Sequence, residues 1–438
     1  MDRFWVKNFG CRASQADGAA IEAGLAGQGH IPAADLHDAG LVVLNTCTVT
    51  STADDEVRQT VRRIHREHPD ARIIVTGCYA QRAPQEIAAL PGVSLVVGNS
   101  HKTRIPELLA EPVPYHSLVG AFTGAQIHVG DIFAQHDFLS APVEDALGDR
   151  TRPNLKIQDG CNNRCSFCII PFVRGRSRSA PPEQVVAQVA RLGEKYREVV
   201  LSGINLGRWG RDLAGKARLA DLVRMLLDQT QVARLRLSSV EPMDFSDDLI
   251  GLMAESPRIA KHVHAPLQSG SDRVLRRMHR KYRPRHYADR IQKARVAMPD
   301  CAVGADVMTG FPGETDQEFE ESRSFIESLP FTYLHVFTYS ERPGTPAAES
   351  TLQVPAAVRK MRTKALRDLA ARKNLEFRRA MVGRTLSVVT IEDGTAALSE
   401  NYLKVKLAVR REPNRIEDVR IGGLSADGVS ETGALPVI

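Results

Sequence analysis

The run Cys161-Asn-Asn-Arg-Cys165-Ser-Phe-Cys168 constrains this chain more than any other feature. A short irregular loop can aim three thiolates at one face of a four-iron cluster, leaving one iron open for a substrate to coordinate. A structural zinc site wants four protein ligands, commonly as separated pairs, and no fourth cysteine or nearby histidine completes a set here. The remaining cysteines are Cys11, Cys47, Cys78 and Cys301. An odd total in a chain whose start, MDRFWVKNFGC, has no apolar leader argues against a disulfide framework and for metal or redox chemistry. No stretch approaches eighteen uncharged apolar residues, so a cytoplasmic protein with no membrane segment is expected.

With 438 residues, 43% hydrophobic and 25% charged, the chain should form two or three globular domains. In residues 1–100 the apolar runs RFWVKNF, AGLVVLN and ARIIVTG read as buried parallel strands. Each ends in a cysteine and is followed by an amphipathic stretch, one of them with Ser51 or Thr52 as N-cap. Strand then helix, repeated, predicts a doubly wound α/β domain whose strands bring their carboxyl ends to one edge. Cys11, Cys47 and Cys78 should therefore converge as a ligand triad. Cys301 lies at a strand start and reads as structural. Residues 101–150, with Pro106, Pro112, Pro114 and Pro142, read as a linker.

Residues 151–382 carry six apolar runs (LKIQ, EVVLSGI, RLRLSSV, HVHAPL, VGADVMTGF, YLHVFTYS), most followed by a helical pattern. Six such units predict a partial (β/α)6 barrel with its active site at the carboxyl ends of the strands. Thr315 after GFPGE reads as a helix N-cap, and His264 as either a core or a polar residue. Residues 383–438 change to short alternating strands and predict a small all-β barrel.

The C-x3-C-x2-C spacing, with Phe167 before the third cysteine, resembles the signature of the radical S-adenosylmethionine (SAM) superfamily. The resemblance implies that the open iron of a [4Fe-4S] cluster on Cys161, Cys165 and Cys168 binds the methionine part of SAM, and that reduction yields a 5′-deoxyadenosyl radical. By the same analogy Ser202 and Gly203 meet the methionine amino group, while Ser238, Glu241 and Gln268 reach the cofactor. The backbone of Val307–Gly310 lies against its adenine. The strings NFGCRASQAD, NTCTVT, TGCYAQ, DGCNNRCSFCIIPFVRGRSRS, PLQSGSDRVLRRM, GFPGETDQEF and HVFTYSERPGTPAA, in this order, resemble the methylthiotransferase family over almost the whole chain. That family pairs an N-terminal α/β domain and a radical barrel with a terminal RNA-binding β-barrel called TRAM.

The resemblance implies a second [4Fe-4S] cluster on Cys11, Cys47 and Cys78, and two SAM molecules per turnover, one for the methyl group and one for the radical. Within the family, RRMHRKY and LHVFTYSERPGTPAA are similar to the branch that methylthiolates C2 of N6-threonylcarbamoyladenosine beside the anticodon of tRNA. Arg342 is then the expected reader of the threonyl carboxylate. A flavodoxin- or ferredoxin-like electron donor and a sulfur source are implied but not identified. One departure is Ala180, where the family often has an arginine. Alternatives are the isopentenyladenosine branch, the branch acting on a ribosomal-protein aspartate, and a non-catalytic iron–sulfur RNA-binding protein. The net charge of +6 and the basic runs at 359–379 and 273–286 favour an RNA backbone footprint. Tyr402 in the terminal barrel could stack on a base, although core packing is the commoner use of such a residue. Removing residues 383–438 is expected to weaken RNA binding without disturbing cofactor cleavage.

Overall fold

The computed structural model describes residues 2–110, 125–135, 138 and 151–434. The chain forms two compact units, one of Met1–Pro142, Asp159–Arg178 and Ser340–Ala348, the other of Val143–Gln158, Ser179–Tyr339 and Glu349–Ile438.

The first unit is built on strands β1 (Arg3–Asn8), β2 (Ile31–Pro32), β3 (Leu41–Thr46), β4 (Arg72–Gly77), β5 (Val93–Gly98) and β6 (Gln126–His128). They form one parallel sheet in the order β2-β1-β3-β4-β5-β6. All six residues of β3 are buried, as both faces of a helix-covered parallel strand must be. Alternation with period two sends Val42, Leu44, Ile73 and Val75 to one core and Val43, Ile74, Leu95 and Val97 to the other. The helix Ser51–Glu67 is capped by Thr50, whose hydroxyl accepts from Ala53 N at 3.2 Å. The expected caps, Ser51 or Thr52, already lie in the first turn.

Residues 126–128, read from sequence as part of a linker, instead supply the edge strand β6. Three residues, QIH, are too few for periodicity to identify a strand. Pro112, Pro114, Pro142 and most of the expected linker lie outside the described residues.

The strands β7 (Asn154–Asp159), β8 (Arg178–Ser179), β9 (Glu198–Gly203) and β10 (Arg234–Leu237), which lie in the second unit but for Asp159 and Arg178, form one sheet. A second contains β11 (His262–His264), β12 (Ala302–Thr309) and β13 (Tyr333–Thr338). A bridge between Leu235 and Ile259 and a hydrogen bond from Val240 N to His264 O (3.0 Å) join the two. Strands β7 and β9–β13 are the six expected of the partial barrel. The helix Asp316–Ser328 starts at Thr315 with a reciprocal capping box to Glu318, satisfying two end donors at once.

Strands β14 (Thr385–Ile391), β15 (Ala396–Ser399), β16 (Lys404–Lys406), β17 (Ile416–Leu424) and β18 (Val429–Glu431) close into a barrel in the order β14-β15-β16-β18-β17. Its core includes Phe377 from the helix Ala356–Ala380, Met381 just after that helix, and Ala302 from β12. Arg236 of β10 chelates the buried Glu198 of β9 (2.7 and 3.0 Å) and donates to Ser399 O (2.9 Å) and Glu400 O (3.2 Å) of the small barrel. Tyr402 stacks on His262 at 4.3 Å and lies beneath the Arg236 guanidinium, so its ring is used in packing. The terminal barrel thus shares apolar and hydrogen-bonding contacts with the partial barrel. Removing it would expose them, contrary to the expectation that it is separable.

Candidate cluster and cofactor site

Register brings the first cysteine triad level. Asn8 of β1 pairs with Asn45 of β3, and Thr46 with Gly77 of β4, so Cys11, Cys47 and Cys78 all follow the same sheet edge. Two of the three are preceded by a glycine with left-handed backbone, Gly10 (φ 86°) and Gly77 (φ 99°). A Cβ on Gly10 would lie 2.7 Å from Cys47 Sγ, and one on Gly77 would lie 2.4 Å from Thr46 O. The strings FGC and TGC therefore need glycine both for φ and for room.

Burial pushes the Cys47 thiol up to about 12, with Cys78 and Cys11 adding to the rise. A bound cation would favour the thiolate of the buried Cys47, and thiolates are what iron requires. The donor set fits an iron–sulfur cluster with three protein ligands.

Polar side chains buttress the triad. Asn99 Nδ2 lies 3.5 Å from Cys78 Sγ and donates to Val173 O at 2.7 Å. Ser14 Oγ is 3.7 Å from Cys11 Sγ. Buried Asp17 receives Lys102 Nζ and Arg174 Nη2, each at 2.9 Å. Burial pushes the Arg174 guanidinium down, yet Cys78, Asp17 and Asp159 hold it well above its ordinary value.

The second triad lies on the loop Asp159–Arg178. Gly160 (φ 70°) approaches Arg176 O so closely that a Cβ would sit 2.0 Å from it, and Cys161 N donates to Gly175 O at 3.1 Å. The loop is pinched at its base. Cys168 N donates to Cys165 O (3.1 Å) and Asn163 N to Cys161 Sγ (3.4 Å). All three cysteines and Phe167 are half-buried, a more accessible setting than that of Cys47 and Cys78. Ala180 is buried, and its N–H donates to Ile157 O.

In the second unit, Ser202 is buried at the end of β9, and a Cβ on Gly203 would meet the Gln158 side chain at 2.9 Å. Ser238 N donates to Leu201 O. Glu241 is ion-paired to the buried Arg280. Gln268 adopts φ 64° and bridges to Val307, with Met308 N donating to Gln268 O at 2.9 Å. Gly310 (φ 71°) donates its N–H to Glu314 Oε2 at 2.7 Å, and Glu314 is held by Arg362 at 2.8 Å.

Sequence reading missed a polar cluster on one face of β11–β13. His264 Nε2 and His335 Nδ1 approach Asp306 Oδ1 at 3.3 and 3.1 Å, and the Tyr333 hydroxyl meets His262 and His264 at 2.7 and 2.8 Å. Burial pushes the Asp306 carboxyl up, but hydrogen bonds from His264 and His335 hold it well below the usual carboxylate range. Alternate polar residues in HVH, GAD and YLH were the available signal. Gly304 makes the cluster possible, because a Cβ there would overlap the Tyr333 ring at 2.0 Å.

Arg342 corrects the sequence reading. Its side chain is 4% exposed and donates Nη1 to Asp54 Oδ2 at 2.7 Å and to Thr48 O at 3.3 Å. A guanidinium committed to a buried carboxylate is not an open reader of a substrate carboxylate. The basic runs also shrink. Arg362 binds Glu314 and Asp316, Lys373 and Arg378 bind backbone carbonyls, and Arg277 and Arg280 pair with Glu318 and Glu241. Lys360, Lys364, Arg367, Arg372 and Arg379, with Arg273, Arg276, Lys281 and Arg285, remain exposed.

Residues 155–326 match the family model of the Radical SAM superfamily, and residues 3–98 match that of Uncharacterized protein family UPF0004. The threonylcarbamoyladenosine tRNA methylthiotransferase MtaB of Bacillus subtilis (strain 168) is 40% identical over 84% of this chain and 82% of its own length. The protein of that name in Thermotoga maritima is 31% identical over 97% and 95%. A tRNA-2-methylthio-N(6)-dimethylallyladenosine synthase of Pelotomaculum thermopropionicum is 33% identical over 89% and 86%. Among solved structures, the radical S-adenosylmethionine methyltransferase TsrM from Kitasatospora setae is similar in fold, with a TM-score of 0.56 at 14% identity over 80% of this chain and 77% of its own. Identity of 40% across most of both chains, carried on a fold with two cysteine triads, makes this chain a member of the radical SAM tRNA methylthiotransferase family.

Proposed function

We propose that the protein methylthiolates C2 of N6-threonylcarbamoyladenosine beside the anticodon of tRNA. The observation that carries this reading is the set of relatives named for that activity, 31–40% identical over 84–97% of the chain. In this reading Cys161, Cys165 and Cys168 hold the cluster that binds SAM, and Cys11, Cys47 and Cys78 hold a second one. When bound, these groups and two SAM molecules supply the electron, the carbon-centred radical, the sulfur and the methyl group.

The chain's own residues bind and orient. The strand ends at Ser202, Gly203, Ser238, Glu241 and Gln268, with the backbone of Val307–Gly310, are the proposed cofactor contacts. Gly203 and Gly310 lack a Cβ because the Gln158 and Arg359 side chains pack there, and Glu314 fixes the Gly310 N–H. His335 is 53% exposed on the Asp306 cluster and is a candidate for meeting the substrate base. The exposed lysines and arginines of 273–286 and 359–379, with the closed terminal barrel, are the proposed tRNA footprint. No helix among the described residues is long and apolar enough to cross a membrane, in keeping with a cytoplasmic enzyme served by a flavodoxin- or ferredoxin-like donor.

The test is a reaction of anaerobically reconstituted protein with SAM, reductant and matched tRNAs. Methylthio product is expected on tRNA carrying the threonylcarbamoyl group and absent on tRNA lacking it. Because dimethylallyladenosine enzymes are 31–34% identical, tRNA carrying isopentenyladenosine is the decisive competitor. Preference for it would overturn the substrate while leaving the family intact.

A further inference from the structure

Arg174 lies six positions after Cys168 in the chain, yet its side chain sits among the residues that buttress the other triad. It ends the helix Ile170–Arg174 and is 2% exposed. Nη2 donates to Asp17 Oδ2 at 2.9 Å and to Ser14 Oγ at 3.3 Å, and Nη1 donates to Asp159 Oδ1 at 2.9 Å. Ser14 Oγ is itself 3.7 Å from Cys11 Sγ. On the other side, the carbonyl of adjacent Val173 accepts from Asn99 Nδ2, the nitrogen that also faces Cys78 Sγ. Ile169 and Val173 pack directly with Cys78. The Arg174 side chain is thus one side chain, Ser14, removed from Cys11, and the backbone next to it is one side chain, Asn99, removed from Cys78.

Its hydrogen bonding is incomplete. Arg174 Nε is buried and has no hydrogen-bond partner among the described residues, which is costly for a charged donor. Cluster sulfides and cysteine thiolates are acceptors that would satisfy it. The charges point the same way. Asp17 and Asp159 face three cations, Lys102, Arg174 and Arg178, and the thiolates of the triad are further negative groups facing Arg174. Reduction adds an electron's charge to whatever those thiolates hold. A buried cation and an N–H donor both favour that reduced form.

We propose that Arg174 is a positioning residue that raises the reduction potential of the cluster held by Cys11, Cys47 and Cys78, through its buried charge and its free Nε–H. The proposal rests on the second-cluster reading given above. It assigns the loop of the radical-site triad a second duty, control of the electron affinity of the other cluster.

The experiment is EPR-monitored redox titration of the reconstituted holoenzyme and of its Arg174→Gln and Arg174→Lys variants. The signal that SAM perturbs identifies the radical-site cluster, and the other signal is followed. In Arg174→Gln its midpoint should fall by at least ~59 mV, a tenfold change in the oxidised-to-reduced ratio for one electron. Arg174→Lys, which keeps the charge, should recover part of the loss. Wild-type protein carrying 15N-labelled arginine should also show nitrogen coupling to that signal in pulsed EPR, and Arg174→Lys should lose it. Should Arg174→Gln fail to retain iron, the labelled wild type and the lysine variant decide. An unchanged midpoint, or a coupling that is absent or survives in Arg174→Lys, would overturn the proposal. A wild type with one reducible signal would instead refute the second cluster itself.

Discussion

Replacing Arg342 by Met should destabilise the N-terminal unit by about 3 kcal/mol and lower turnover on every tRNA alike. Its partner Asp54 is 5% exposed and also accepts from Arg82 (3.2 Å) and Thr48 Oγ (2.7 Å). Breaking a buried pair by removing one member costs about 3–5 kcal/mol. Arg82 and Thr48 stay behind to satisfy the carboxylate, which places Arg342→Met at the lower end. Asp54→Ala strands two guanidinium groups and belongs near the upper end, about 5 kcal/mol. The double variant should lose less than the sum, with a coupling of at least about 1 kcal/mol.

The assay is urea unfolding of cluster-free protein, with Trp209 replaced by Phe so that Trp5 of β1 alone reports on this unit. The chain has two tryptophans, one in each unit, and a single unit is the level at which two-state treatment is sound. Arg342 also holds Thr48 O, next to Cys47, so iron retention should fall in parallel. A variant of unchanged stability that loses activity only on threonylcarbamoylated tRNA would refute this reasoning and return Arg342 to the substrate.

Alanine at Cys11, Cys47 and Cys78 should halve the iron content and abolish methylthiolation while SAM cleavage persists. Alanine at Cys161, Cys165 and Cys168 should abolish cleavage, and both outcomes are read by iron analysis and 5′-deoxyadenosine yield. Burial pushes the Glu198 carboxyl up, but Arg236, Arg152 and Arg234 bring it from 4.5 to about 2. At ~1.36 kcal/mol per pH unit that is about 3 kcal/mol of stability, fully present above pH 4.5 and lost as pH falls through about 2. Acid unfolding of Glu198→Gln should lack that dependence. Truncation at residue 383 should leave insoluble or SAM-inactive protein, because Phe377, Met381 and Arg236 lose their cover; a stable, cleavage-competent fragment would contradict the shared core. Affinity for tRNA should fall steeply between low and physiological salt in a filter-binding series, since each neutralised phosphate releases counterions.

Much of the architecture was legible because its signals are local or strictly periodic. Unbroken apolar strands ending in cysteine gave the first sheet and the convergence of Cys11, Cys47 and Cys78. GFPGET ended in its own N-cap, Thr315, and Glu318 three residues on closes the capping box. What escaped depends on pairing across distant segments. Strand β6 has three residues and exists only because β5 offers it an edge. Arg342 looked like a free guanidinium because its partner, Asp54, lies 288 residues away. The basic run of the helix Ala356–Ala380 reads as one charged surface, yet the fold turns Arg362 inward to Glu314. The His264–Asp306–His335 cluster needed the register of three strands, which periodicity alone does not supply. Arg174 stood in a recognised string, but its reach to Asp17 was not encoded in that string.

The most direct test of the account is mass spectrometry of tRNA nucleosides from cells with and without this gene. Loss of 2-methylthio-N6-threonylcarbamoyladenosine, with matching accumulation of N6-threonylcarbamoyladenosine, is the predicted result, and it should be reversed by the wild-type gene but not by one lacking Cys161, Cys165 and Cys168. An unchanged level of that nucleoside, or loss of the isopentenyladenosine product in its place, would contradict the account.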